Sequence, residues 1–273
     1  MSESAPGRHQ WQWIYRHPVA VRVTHWVNVV CLVFLLGSGL AIFNAHPSLY
    51  WGNIATFDRP LVRLEAVAEG GKPIGRTTVF GVAFTTTGFL GLSRDGEGQL
   101  VRRGFPSWAT IPSYQDLSTG RRWHFVFAWL FGINGAIYLA YTLASGHARD
   151  LVPARTQWRT IGRTVWDHLR LRFPHGPEAR GYNVLQRASY FGIAFIVLPV
   201  LILAGLAMSP GWDAAFPWLP QLFGGRQSAR TVHFICAGLV TLFAVVHVLM
   251  VLVSGVWNNL RSMITGRYRI EAE

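Results

Sequence analysis

The stretch HFICAGLVTLFAVVHVLMVLV, residues 233–253, decides the fold. From Phe234 to Val253 it contains no Asp, Glu, Lys or Arg, and its only histidine is His247. About 20 apolar residues in helix cross a hydrocarbon core of about 30 Å. The run is continuous rather than alternating, which argues against a barrel strand. In lipid an isolated span must satisfy its own backbone, and a helix does so. Residues 233–253 are therefore read as a transmembrane helix.

Three further runs of the same kind lie upstream: Trp26 to Phe43, Phe125 to Ala144, and Tyr190 to Met208, the last interrupted only by Pro199. The chain of 273 residues is 51% hydrophobic and only 14% charged, well below the roughly 25% charge of soluble domains. The expected fold is an all-α membrane protein, a four-transmembrane-helix bundle forming a single domain over residues 1–273. Its helices are placed at about 18–43, 119–145, 184–208 and 228–255. Pro18 suits the first turn of the first helix. That first run is too long for the apolar part of a signal peptide and is read as an uncleaved span.

Net charge is +12, and Lys72 is the one lysine among 25 basic residues. Because the arginines flank spans, they are read as orientation anchors, not as a nucleic-acid surface, and no nucleic-acid partner is expected. Residues 145–183 carry seven Arg against three acidic residues, whereas residues 209–228 carry one of each. The positive-inside rule then puts the loop at 146–183 and both termini in the cytoplasm. The long loop at 44–118 falls on the outer side. Within it, Gly88 to Phe105 has Asp95-Gly96 between β-prone residues and predicts a hairpin. Ile74 to Leu92 is mildly apolar but holds Arg76, five Thr and four Gly, a composition poor for spanning. Trp158 to Phe173 is a candidate interfacial helix. Cys31 and Cys236 fall inside spans and form no Cys-x-x-Cys-His attachment site, so covalent haem is not expected.

Four of the ten histidines lie in or beside spans: His25, His124, His233 and His247. Intramembrane ionisable residues are costly and point to function. His233 and His247 share one helix, fourteen residues apart. That is about 40° short of four turns, so both point to one face, about 21 Å apart along the axis. With the expected topology, His124 faces His233 in an outer layer and His25 faces His247 in a cytoplasmic layer. Two histidines on opposing helices are what a six-coordinate b-type haem iron requires, so two haems b are expected. Arg22, Arg121 and Arg230 each precede one of these histidines by three residues, on the same helix face. They suit haem propionates, and they equally suit plain interfacial anchoring. Gly37, Gly39, Gly132, Gly135, Gly192, Gly205 and Gly238 are read mainly as close-packing positions.

These residues carry a family resemblance. The stretches are Arg16-His-Pro-Val-Ala-Val-Arg-Val-Thr-His25-Trp-Val-Asn28, Phe43-Asn-Ala-His-Pro-Ser-Leu-Tyr-Trp-Gly52, Gly120-Arg-Arg-Trp-His124-Phe-Val-Phe-Ala-Trp129 and Tyr182-Asn-Val-Leu-Gln186, with the His233/His247 pair. Together they resemble the bacterial four-helix cytochrome b561 family, which includes the cytochrome b subunits of Ni/Fe-hydrogenase, formate dehydrogenase and thiosulfate reductase. The Asn-Ala-His-Pro and Arg-Arg-Trp-His stretches look most like the branch that partners molybdopterin oxidoreductases. The long first loop departs from the compact hydrogenase and formate dehydrogenase subunits.

The resemblance implies a multi-pass protein of the bacterial cytoplasmic membrane that exchanges electrons between membrane quinone and a periplasmic oxidoreductase subunit. It implies a quinone site near the cytoplasmic haem, with Asn183 and Gln186 as candidates; helix capping is the other reading of that pair. Two alternatives differ in class or in partner. One is a stand-alone quinol-linked oxidase of the same fold, acting on superoxide or another small oxidant. The other is a histidine-lined metal or proton transporter, disfavoured because the spans contain no Asp or Glu.

Overall fold

The computed structural model describes residues 11–146, 161–170 and 184–271. Four helices are long and apolar enough to cross a membrane: α1 (Val19–Phe43), α2 (Leu117–Ala144), α4 (Val184–Ala207) and α7 (Arg226–Val253). A short α3 (Ile161–Leu169) precedes α4, and it is the described part of the expected interfacial helix. Helices α5 (Pro210–Ala215) and α6 (Trp218–Leu222) join α4 to α7, and α8 (Val256–Thr265) follows α7. Strands are β1 (Trp11–Tyr15), β2 (Ser48–Leu49), β3 (Val62–Glu69), β4 (Lys72–Val79), β5 (Val82–Thr85), β6 (Gly91–Arg94), β7 (Leu100–Arg103) and β8 (Arg267–Glu271). Helix α4 widens to a π-turn at Ile193–Val197. Pro199 follows at once, and a proline lacks the N–H that would continue the ladder, so the turn before it is where the helix adjusts.

By its contacts the chain divides into two units. The larger holds Val27–Asn134 and Val197–Leu239. Its loop between α1 and α2 is not irregular but largely β-structure. An antiparallel sheet runs β2-β3-β4-β5, and β6 and β7 pair separately with Gly91 opposite Arg103. That second pair is the hairpin expected between Gly88 and Phe105. The Ile74–Leu92 stretch forms β4, β5 and the start of β6, not a span. Gly70 and Gly71, at φ +59° and +75°, make the two-residue turn between β3 and β4 that favours glycine. Glycine is also required where β6 crosses the sheet. A Cβ on Gly75 would lie 2.2 Å from the Leu90 carbonyl oxygen, and one on Gly91 would lie 2.3 Å from that of Glu65.

This β-structure is fastened to the helices. Phe43, Leu49 and Leu64 form a buried apolar cluster, against which Phe105 of the loop and Phe234 of α7 pack. The Asn44 side chain bridges to Phe105, accepting from its N–H at 2.6 Å and donating to its carbonyl at 3.1 Å. Thr231 donates to the Tyr50 carbonyl at 2.7 Å, and Ser228 accepts from the Gly52 N–H at 2.7 Å. Arg103 is buried; its two terminal nitrogens donate to the Ser113 carbonyl and the Thr110 hydroxyl. Burial pushes this guanidinium below its ordinary value. Asn134 of α2 donates to Asn28 of α1 at 2.7 Å, a polar link between two spans.

The other unit holds Met1–Trp26, Gly135–Ile196 and Val240–Glu273. Here β1 and β8 pair antiparallel, with Trp13 opposite Arg269. The described residues before α1 thus include a strand, β1. Asn258 of α8 holds β8 through both its amide atoms, at 2.8 and 2.9 Å to the Arg269 backbone.

Candidate functional site

The four span histidines meet as two pairs, each wholly within one unit. In one, the His124 ring on α2 faces the His233 ring on α7, with centroids 6.2 Å apart. In the other, His25 on α1 faces His247 on α7 at 6.3 Å. The two separations are nearly the same and have a chemical meaning. A metal–imidazole bond is about 2 Å and the ring centre lies about 1 Å behind its nitrogen, so two imidazoles on one metal stand about 6 Å apart.

Hydrogen bonds explain how the rings of the first pair are held. His124 Nδ1 lies 3.1 Å from Ser38 Oγ, whose own hydrogen goes to the Phe34 carbonyl one turn back. The serine oxygen therefore accepts from Nδ1–H. His233 Nδ1 donates to the Leu201 carbonyl at 2.9 Å. A ring whose Nδ1 carries the proton leaves the Nε2 lone pair for a metal. Two glycines make room beside these rings. A Cβ on Gly39 would lie 3.4 Å from the His124 ring, and one on Gly205 would lie 3.2 Å from the His233 ring. The other glycines do not share this role: Gly37 admits Ile111, and a Cβ on Gly132, Gly135, Gly192 or Gly238 would meet nothing within 4 Å among the described residues.

The second pair is held by rings. Phe243 stacks on His247 at 5.9 Å, and Trp26 meets His25 edge-on at 5.4 Å. His25 Nδ1 is buried with no hydrogen-bond partner among the described residues. A bis-imidazole iron centre fits both pairs by donor type and spacing.

The three arginines have distinct settings. Arg22 donates to the Ile264 carbonyl, near the C-terminal end of α8, where carbonyls are left over by the helix. Arg230 donates to the His46 carbonyl and lies 5.4 Å from the centre of the Phe43 ring. Burial, and then the charges of Arg230 and Arg63, push His46 below the usual imidazole value. Arg121 is exposed, with its guanidinium 5.7 Å from the Phe125 ring. Gln186 is half-buried on α4, one turn before Tyr190, whose ring meets Phe243 edge-on at 6.2 Å. Phe243 in turn stacks on His247. Asn183 lies outside the described residues. Ser38, Gly39, Gly205 and the Leu201 carbonyl were not singled out from sequence as partners of the histidines. The one legible signal was position: Gly39 lies on α1 and Gly205 on α4, among the small residues of the spans.

With this geometry in hand, comparison with known proteins is informative. A family model described as prokaryotic cytochrome b561 matches residues 16–266. A protein of Azospira oryzae named "Putative protein-methionine-sulfoxide reductase subunit YedZ1" is 31% identical over 238 residues, which cover 86% of this chain and 89% of that one. A protein of Cupriavidus necator named "Probable Ni/Fe-hydrogenase B-type cytochrome subunit" is 32% identical over 137 residues, covering 46% of this chain and 56% of that one. No solved structure gives a significant match.

Proposed function

Because the chain belongs to the prokaryotic cytochrome b561 family, a family of membrane haem-b electron-transfer proteins, we propose that it holds two haems b and links quinone oxidation or reduction to an oxidoreductase partner. The carrying observation is the two pairs of facing imidazoles, 6.2 and 6.3 Å apart. His124 and His233 would hold the iron of one haem, and His25 and His247 that of the other. When bound, haem b supplies one-electron carrying capacity. The protein's part is to fix the imidazoles, exclude water and set the local dielectric.

Ser38 and the Leu201 carbonyl hold two ligands in the metal-ready tautomer. Gln186, with Asn183, receives quinone beside the His25/His247 layer. Arg22, Arg121 and Arg230, one turn from three of these histidines, would pair with the haem propionates. The names of the two relatives, a reductase subunit and a hydrogenase cytochrome subunit, support a partner oxidoreductase for this chain too. We place that partner, a molybdopterin enzyme, on the periplasmic side against the loop at 44–118, with both termini cytoplasmic in a bacterial inner membrane. The single-domain reading of residues 1–273 goes with this proposal.

The test is a reduced-minus-oxidised spectrum with a pyridine haemochrome count on purified protein, followed by addition of quinol. Two b-type haems per chain, reduced by quinol, are expected. Protein that retains its helices but carries no haem would overturn the reading.

A further inference from the structure

The strands β1 and β8 carry a feature that electron transfer does not use. Their register places Trp11, Trp13 and Tyr15 on one face together with Arg267, Arg269 and, opposite Trp11 at the strand end, Glu271. All three aromatic side chains are exposed, at 50%, 51% and 63%. Arg269 stands 4.3 Å from the centre of the Trp11 ring, and Arg261 of α8 stands 5.2 Å from that of Trp13. Trp13, Arg261, Thr265 and Arg267 line a cavity of about 550 Å³. Among the described residues, none of Arg261, Arg267 and Arg269 forms an ion pair with a carboxylate. Two guanidinium groups beside an indole, neither paired with a carboxylate among the described residues, form a receptor for an anion.

The position says which anion. α1 begins four residues after Tyr15, and α8 begins three residues after the end of α7. Both helices are spans, so this face lies at the ends of two spans. Trp and Tyr are the side chains that settle at the headgroup level, and Arg is drawn to anionic lipid there. We propose that the cavity lined by Trp13, Arg261, Thr265 and Arg267 binds the phosphate headgroup of an anionic phospholipid from the surrounding bilayer. Arg261 and Arg267 hold the phosphate, Trp13 lies along the glycerol backbone, and the paired strands rest on the membrane surface.

The test is native mass spectrometry of the full chain in detergent with added phosphatidylglycerol, phosphatidylcholine or inorganic phosphate. Retained phosphatidylglycerol is expected, with much less phosphatidylcholine and no displacement by millimolar inorganic phosphate. Surface arginines contribute about 1 kcal/mol each to anionic-lipid attraction, about fivefold in affinity. R267Q should therefore weaken retention about fivefold, and the double variant R261Q/R267Q about 30-fold. R94Q/R102Q in the β6–β7 hairpin, which removes the same charge elsewhere, should leave retention unchanged. Equal retention of both lipids, equal loss in the hairpin variant, or no loss in R267Q would overturn the proposal. Displacement by inorganic phosphate would also overturn it, by assigning the cavity to a soluble anion. R267Q alters one exposed side chain, so it decides the matter even if the double variant does not accumulate.

Discussion

The two histidine pairs have almost the same spacing and are built by different means. Around His124 and His233 both Nδ1 atoms are engaged, one by Ser38 and one by the Leu201 carbonyl, and Gly39 and Gly205 border the rings. Around His25 and His247 the neighbours are aromatic, and His25 Nδ1 is buried without a hydrogen-bond partner among the described residues. Ring spacing alone thus does not define a ligand pair. Hydrogen bonds to the far nitrogen select tautomer and orientation, whereas stacking fixes the ring plane and leaves the tautomer open. One pair is preorganised by hydrogen bonds to both rings, and the other is shaped by packing.

The harshest test of this contrast removes one ligand from each pair. H247A is expected to lower the haem content from two per chain to one, and H233A to do the same with the other haem. Haemochrome counts and the spectra of the survivors measure it. If either variant loses both haems while keeping its helices, the pairs are not independent and the comparison fails. If neither variant loses any, the ligand assignment fails.

A gentler change acts on the preorganised pair only. Partners of a ligating histidine are typically worth 10–100-fold in metal affinity. Ser38→Ala removes the hydroxyl that accepts from His124 Nδ1. The Leu35 carbonyl also lies within reach of that ring, so the loss should fall at the lower end, about tenfold in affinity for one haem. The His25/His247 haem should be unchanged in the same sample. Titration of apoprotein with haemin measures both. Equal weakening of the two haems would mean that Ser38 acts on the fold at large and not on its histidine.

What could be read in advance follows the range of the interactions concerned. The spans were legible because lipid imposes a rule on composition alone, so unbroken apolar runs become helices whatever they pack against. The meeting of His124 with His233 and of His25 with His247 was also legible. It needed only helix geometry and alternating direction, with no knowledge of packing. The hairpin at Asp95-Gly96 was a local signal of the same kind.

The sheet β2-β3-β4-β5 and the pairing of Trp11–Tyr15 with Arg267–Glu271 were not legible. The second joins residues about 255 positions apart in sequence, and nothing local in either strand names the other. Ser38 and Gly39 looked like ordinary small residues of a span, because contact with His124 depends on how two helices face each other. Arg22 and Arg230 illustrate the same limit from the other side. Their spacing before the histidines was plain, but not that the Ile264 and His46 carbonyls lie within reach of their guanidinium groups.

The smallest expected effect concerns how the His124 helix begins. Asp116 stands just before α2. It accepts the Ser118 and Thr119 N–H groups at 2.9 and 3.2 Å and the Thr119 hydroxyl at 2.7 Å. This is an N-cap, and it fixes the entry of the helix that carries His124 eight residues later. The Thr119 hydroxyl, helped by the backbone N–H groups and by Arg122, holds the Asp116 carboxyl below the usual carboxylate value. The sign follows from that direction. The carboxylate binds its proton more weakly in the folded chain than in the unfolded one, so its stabilisation is complete above the ordinary value of 3.8 and is lost as pH falls through the depressed one. Hydrogen exchange over the first turn of α2 should therefore quicken, relative to the middle of the helix, as pH is lowered below about 4. In D116N the neutral side chain still caps, so protection should be lower at neutral pH and lose its dependence on acid. If acid loosens the start of α2 equally in D116N, the cap is not what orders this entry. The preorganisation of the His124/His233 pair would then begin with Ser38 and the Leu201 carbonyl and owe nothing to the helix start.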